Sequence, residues 1–207
     1  MNRITRILTA TVLVALLAVP AFAQAKGYPS RTIECYAPSG AGGGWDLTIR
    51  TVSKTLTDTK LVKVAMPVEN KAGGGGAVFL TALQSMKGKD NVLTVYSPPL
   101  LLINLNGTTP FSYKNTTPLA RLITDYGAFV VRKDSKYTSI AQLIDDLRKN
   151  PASVKFGGNS AAGSMDHIQF LVVAKAAGLT GLKNIQFISF QDNAGAAQLL
   201  GGHIDML

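Results

Sequence analysis

The sequence predicts an α/β fold, with mostly parallel sheets flanked by helices and arranged as two lobes about a hinge. Two observations predict it. Short apolar runs alternate with helical patterns along most of the 207 residues, a βαβ rhythm that argues for parallel strands covered on both faces. Three glycine-rich runs each follow a strand pattern and precede a helical one, at 38–46, 69–76 and 157–164. In an open α/β sheet such turns gather at the carboxyl ends of the strands. The length suits one large domain or two small ones. At 46% hydrophobic and 16% charged residues, the chain has enough apolar side chains to build a core. One cysteine and two histidines exclude a disulfide framework, a thiolate zinc site and a His-rich metal cage.

The N-terminus reads as an export signal. Arg3 and Arg6 precede an uncharged run at 7–19, Pro20 breaks it, and Ala21-Phe22-Ala23 is an A-x-A cleavage pattern. The run is shorter than the roughly 20 residues that span a bilayer, which argues against an uncleaved anchor. Cleavage near Ala23 removes Arg3 and Arg6 and no acid, taking the formal charge from +9 to +7. The basic residues are scattered, without runs or interleaved aromatics. Small anions therefore fit the charge better than nucleic acid does, and no nucleic-acid partner is expected.

Strands are expected at 32–37, 63–68 and 91–96, and helices at 45–56 and 77–86. Ile49, Val52 and Leu56 fall on one helical face. Pro98-Pro99 opens a further helix. The polar stretch 106–118 leads to a hinge at 118–122, dividing the mature chain into lobes 24–120 and 121–207 after the signal 1–23. In the second lobe, strands are expected at 127–131, 154–157, 185–189 and 203–207. Its helices should run from a Ser139–Gln142 capping box to Pro151, over 165–177 with Gly178 closing, and over 194–200 before Gly201-Gly202. The chain ends inside a strand pattern at Met206-Leu207, which reads as a truncation or as a short edge strand.

The three glycine runs carry the functional signal. Glycine lets backbone N–H groups turn inward and a ligand come close, and a helix N-terminus adds partial positive charge. Nucleotide patterns fail. Trp45 occupies the third glycine slot of G-x-G-x-x-G, and Ser164 stands where a P-loop needs lysine. Small carboxylates remain, needing only N–H and hydroxyl donors. A rival reading is a serine hydrolase. Gly158-Asn159-Ser160-Ala161-Ala162 half-resembles a nucleophile elbow, with His167 or His203 as base and Asp166 or Asp205 as orienting acid. Against it, Asp166 and His167 suit the first turn of a helix capped at Ser164. Asp46 is a first-turn acid or a group at a ligand mouth, and Trp45 is core or cleft wall. Cys35 sits in an apolar strand, unsuited to nucleophilic work.

These runs resemble the exported solute-binding receptors of tripartite tricarboxylate transporters, a family expanded in Bordetella. Pro38-Ser39-Gly40-Ala41-Gly42-Gly43-Gly44-Trp45-Asp46 is similar to its P-x-x-P-G-G-x-x-D loop. Val68-Glu69-Asn70-Lys71-Ala72-Gly73-Gly74-Gly75-Gly76 is similar to V-E-N-[KR]-x-G-A-G-G. Phe156-Gly157 through Gly163-Ser164 and His167 resembles F-G-x-x-x-x-G-S-x-x-H, and Gly201-Gly202-His203-Ile204-Asp205 resembles G-G-H-x-D. Ala41 replaces the usual proline and Gly74 the usual alanine, and family members continue beyond the last motif. The resemblance implies a two-lobed periplasmic binding protein of type II-like fold, here lacking its final elements. It implies a monomer that performs no chemistry and needs no cofactor or metal. It would hold a di- or tricarboxylate such as citrate between its lobes and deliver it to a membrane permease. The implied ligand-binding positions are Ser39, Gly40, Ala41, Gly42, Gly43, Asp46, Tyr96 and Ser97 from the first lobe. Ser160, Ala162, Gly163, Ser164, His167 and Asp192 come from the second.

Overall fold

In the computed structural model, which describes residues 27–190 and 194–207, strand β1 (Glu34–Ala37) is the centre of a three-stranded parallel sheet. The expected signal 1–23 and Asp192 lie outside the described residues. All elements below belong to the unit Arg31–Leu207. Helix α1 (Gly44–Asp58) leads to β2 (Val68–Asn70) on one side of β1. Helix α2 (Ala77–Gln84) then leads to β3 (Val92–Thr94) on the other, giving the order β2-β1-β3. Helix α3 (Pro99–Leu105) follows, with a proline in its first turn as expected.

Side-chain alternation along β1 explains why both faces are covered. Ile33, Cys35 and Ala37 pack with Ile49 and Leu56 of α1, Met66 and Val68. Tyr36 points the other way and stacks on Phe79 of α2 at 4.8 Å. Leu80 of α2 and Ile103 of α3 join in that second layer. Burial pushes the Cys35 thiol up to about 11, so it stays protonated and inert.

Strand β2 lies later than the expected 63–68. The carbonyls of Ala65 and Pro67 do accept from Ile33 and Cys35 N–H at 3.0 Å. Pro67 has no N–H to return, so the ladder there is one-sided and regular pairing starts at Val68.

A second parallel pair joins β4 (Phe156–Gly158) to β5 (Phe187–Ser189). Around it lie α4 (Ile140–Lys149), α5 (Met165–Ala176) and α6 (Gly195–Leu200). Ser139 caps α4, but the Gln142 side chain accepts from Thr138 rather than Ser139, so the expected box closes one residue early. Gly178, at φ +79°, closes α5. Leu179 N–H donates to Ala174 O at 3.0 Å and Gly178 N–H to Lys175 O at 2.9 Å, the double bond of a Schellman turn. Leu143, Leu147, Phe156, Phe170 and Met206 form the core here.

The strand expected at 127–131 shrinks to one paired residue, Val130, and that expected at 203–207 to the bonds of Asp205, Met206 and Leu207. Met206 bridges Phe156, and Val130 and Leu207 exchange both backbone hydrogen bonds at 2.8 and 2.9 Å. The residues before Val130 are exposed, and among the described residues no neighbouring backbone continues a ladder along them. Without a partner an apolar run does not become a strand.

Candidate ligand-binding site

The order β2-β1-β3 makes a topological switch between β1 and β3, where an open sheet leaves a crevice beyond its strand ends. The turn after β1 lies at this switch. Gly42 adopts φ +77°, which a side chain would resist. Its N–H donates to Asp46 Oδ2 at 2.9 Å. Asp46 Oδ1 accepts from Arg50 Nε and from Asn70 Nδ2, both at 2.8 Å. The Asn70 amide also donates to Ser39 O at 3.0 Å, and its carbonyl accepts from Arg50 Nη2 at 3.0 Å. One carboxylate, only 3% exposed, therefore ties the first glycine turn to α1 and to the end of β2. Burial alone would raise its pKa. The Gly42 N–H, the Asn70 amide and the Arg50 guanidinium outweigh that and hold it below its usual range. Asp46 is the first-turn acid of α1, one of its two expected roles, and it is also the knot of the turn. Arg50 and the Asn70 side chain were not foreseen. Asn70 lies inside a recognised motif, but nothing in sequence spacing reveals a bond across 24 residues.

Tyr96 and Ser97 stand at the end of β3. Trp45 Nε1 donates to Ser97 Oγ at 2.9 Å, and Trp45 meets the Tyr96 ring edge-on at 5.3 Å. Trp45 is half-buried and spends its indole N–H on Ser97 rather than leaving it free. Tyr96 OH donates to Gly76 O at 2.8 Å, and burial raises its pKa. The second glycine run, 73–76, holds four consecutive positive φ values. A Cβ on Gly76 would lie 2.8 Å from Tyr96 Cε1 and 3.1 Å from Trp45 Cζ3, so glycine permits the aromatic pair to close over this turn.

The third turn follows β4. Ser160 N–H donates to Asp166 Oδ2 at 2.9 Å, and Asp166 N–H donates to Ser160 Oγ at 3.1 Å. This reciprocal pair does the capping expected of Ser164, whose hydroxyl makes no cap bond. Gly163, at φ +75°, donates its N–H to His167 Nδ1 at 3.1 Å. His167 lies parallel to the Phe187 ring at 4.6 Å, and burial lowers its pKa. Ala162 sits exposed at the tip of the turn. The second and third turns approach each other: a Cβ on Gly75 would lie 3.4 Å from Ala161 Cβ.

A hydrolytic triad is not assembled. Ser160 Oγ and Asp166 bond each other's backbone, and His167 Nδ1 is taken by Gly163. His203 is exposed, and Asp205 accepts from Lys155 N–H. Among the described residues no group of three His, Cys, Asp or Glu side chains gathers to hold a metal. Five buried side-chain polar atoms lack a partner among the described residues, and three are at the expected positions: Ser39 Oγ, Ser164 Oγ and His167 Nε2. Buried polar groups are normally satisfied, so each of these atoms marks a point where a ligand or water completes the bonding.

A family model described as the tripartite tricarboxylate transporter family receptor matches residues 49–207. The chain belongs to this family. It is similar to the "UPF0065 protein in gbd 5'region" of Cupriavidus necator, 29% identical over 204 residues, covering 96% of this chain and 59% of that protein. It is also similar to the crystal structure of a TctC solute binding protein from Polaromonas, at 26% identity and TM-score 0.57, covering 86% of this chain and 59% of that one. MatC from Rhodopseudomonas palustris, solved with bound malate, shares the fold at TM-score 0.66 and 15% identity, covering 86% of this chain and 60% of MatC. The chain thus spans about three fifths of these relatives' lengths. The structural relatives are periplasmic binding proteins, which bears out the expected fold class. Receptors of this family bind solutes, are periplasmic and are not enzymes.

Proposed function

We propose that this receptor is exported and captures a small di- or tricarboxylate, citrate and malate being the first candidates, for delivery to membrane permease subunits. Lobes 24–120 and 121–207 close on the ligand, and the receptor works as a monomer. The observation that carries the reading is that buried Ser39, Ser164 and His167 atoms, on the glycine turns after β1 and β4, are each left without a partner among the described residues. Inward N–H groups and hydroxyls suit carboxylate oxygens and demand no charged side chain. The malate held by MatC supports the same ligand class. In this reading Ser39 to Gly43, Tyr96 and Ser97 face the ligand from one side, and Ser160, Ala162 to Ser164, His167 and Asp192 from the other. Asp46 acts through the turn it ties.

Thermal unfolding of the protein with citrate, malate and succinate, against sulfate as control, tests it. A native-state ligand at a hundred times its Kd adds about 2.7 kcal/mol, so one carboxylate should raise Tm and sulfate should not. A cooperative transition that no carboxylate moves would overturn the ligand class.

A further inference from the structure

We propose that His167 is the positioning residue of the third turn: its neutral imidazole, accepting the Gly163 N–H at Nδ1, holds residues 160–164 in the shape that binds carboxylate, and protonation of Nδ1 releases them. The inference rests on the carboxylate reading above and adds its regulation.

The hydrogen bond decides the tautomer. Gly163 N–H donates to Nδ1 at 3.1 Å, so Nδ1 carries the lone pair and the ring proton resides on Nε2. Phe187, stacked at 4.6 Å with planes 9° apart, fixes the plane of the ring. Nδ1 is therefore committed to the backbone of the turn, and Nε2–H is a buried donor without a partner. Gly163 immediately precedes Ser164, which is 1% exposed and whose hydroxyl is also unsatisfied. A proton on Nδ1 would set one N–H against another. Gly163, at φ +75°, is the residue with most freedom to turn away, and Ser164 would move with it.

Among the described residues, burial is what acts on this switch. Strands β4 and β5 and the turn 159–164 contain no ionisable side chain. On α5, Asp166 spends Oδ2 on the Ser160 N–H, and Lys175 lies about two turns further on. The 3-10 turn Leu182–Asn184 contributes Lys183. Desolvation is what depresses the His167 pKa. A depressed pKa means the neutral, turn-holding form persists at neutral pH and is lost as pH falls below the ordinary histidine value.

Two measurements on the whole protein test this. Ring 15N shifts should show the Nε2–H tautomer, with the Gly163 amide shift following the His167 titration. Malate affinity, measured by calorimetry from about pH 8 to about pH 5, should fall roughly tenfold in the wild type, the worth of one lost buried hydrogen bond. His167→Asn places Oδ1 where Nδ1 stood but removes the Nε2–H donor, so it should bind malate more weakly than the wild type at about pH 8, more tightly than His167→Leu, and without the added pH step. His167→Leu should bind weakly throughout. Comparing variants at each pH cancels the titration of malate itself. An Nδ1–H tautomer, an Asn variant no better than Leu, or affinity that strengthens on acidification would overturn the proposal; the last would make His167 a cationic ligand contact. Binding that is present but equally pH-dependent in wild type and His167→Asn also refutes it. Absence of binding for every carboxylate, with the tautomer as described, instead strikes the receptor reading on which it rests.

Discussion

Asp46 shows how much one buried side chain organises. Its carboxylate accepts from the Gly42 N–H, the Arg50 guanidinium and the Asn70 amide, so truncation leaves three donors short of an acceptor. Asp46→Ala should destabilise the protein by roughly 2–3 kcal/mol, the cost of stranding such donors, with Arg50 half in water limiting the loss. Urea unfolding at neutral pH checks this. The sign of the pH effect follows from the lowered pKa. Its contribution is present above the unfolded carboxylate value and is lost as pH falls through the folded one. Wild-type stability should therefore drop below about pH 4, and Asp46→Asn should lower neutral-pH stability while shallowing that acid limb. An acid limb of equal slope in both would remove Asp46 from this role. The family resemblance places Asp46 at the site, as the last residue of the first glycine motif. It did not reach the knot, because the Asn70 partner comes from another strand and only the sheet order brings them together.

At the scale of elements, the proline and glycine boundaries are legible in the sequence, whereas strand limits depend on which neighbour lies alongside. Pro98-Pro99 opened α3 and Gly178 closed α5, since both act through their own backbone angles. The strand at 63–68 moved to Val68–Asn70 because Pro67 cannot donate, and that matters only once β1 lies alongside. The expected strand at 127–131 likewise needs a neighbour, which among the described residues Leu207 alone supplies, at Val130. Glycines divide in the same manner. Gly44 opens α1 with open space where a Cβ would go and without a positive φ. Gly44→Ala should stabilise the protein by roughly 0.5–1 kcal/mol. Gly76 has φ +98° and the Tyr96 ring 2.8 Å from its would-be Cβ. Gly76→Ala should destabilise by about 1–3 kcal/mol and shift the emission of Trp45, the single tryptophan, because the Trp45–Tyr96 pair must open. Denaturant melts followed by tryptophan fluorescence read both. An unshifted emission in Gly76→Ala would mean the turn relaxes elsewhere.

Across the whole molecule, two parallel sheets with glycine turns at their strand ends follow from an alternation that needs no long-range information, and so the fold class was legible. What composition did not reveal is how unevenly the apolar surface is distributed. Leu119 is 75% exposed, Ile123 67% and Tyr126 86%, with Leu122 also more than half exposed, in a stretch that is neither helix nor strand. Apolar side chains exposed this close together in sequence bind hydrophobic probes when they form one patch. The native protein should therefore enhance anilinonaphthalene sulfonate fluorescence under conditions where its thermal transition remains cooperative. Replacing Ile123 and Leu122 with serine should cut that signal sharply. Because both side chains stand mostly in solvent, stability should change by no more than about 0.5 kcal/mol. A double variant that loses several kcal/mol would show these side chains are packed in solution. An unchanged dye signal would place the accessible apolar surface elsewhere, with the exposed faces of α2 and α3 around Val78, Leu101 and Leu105 as the next site to substitute.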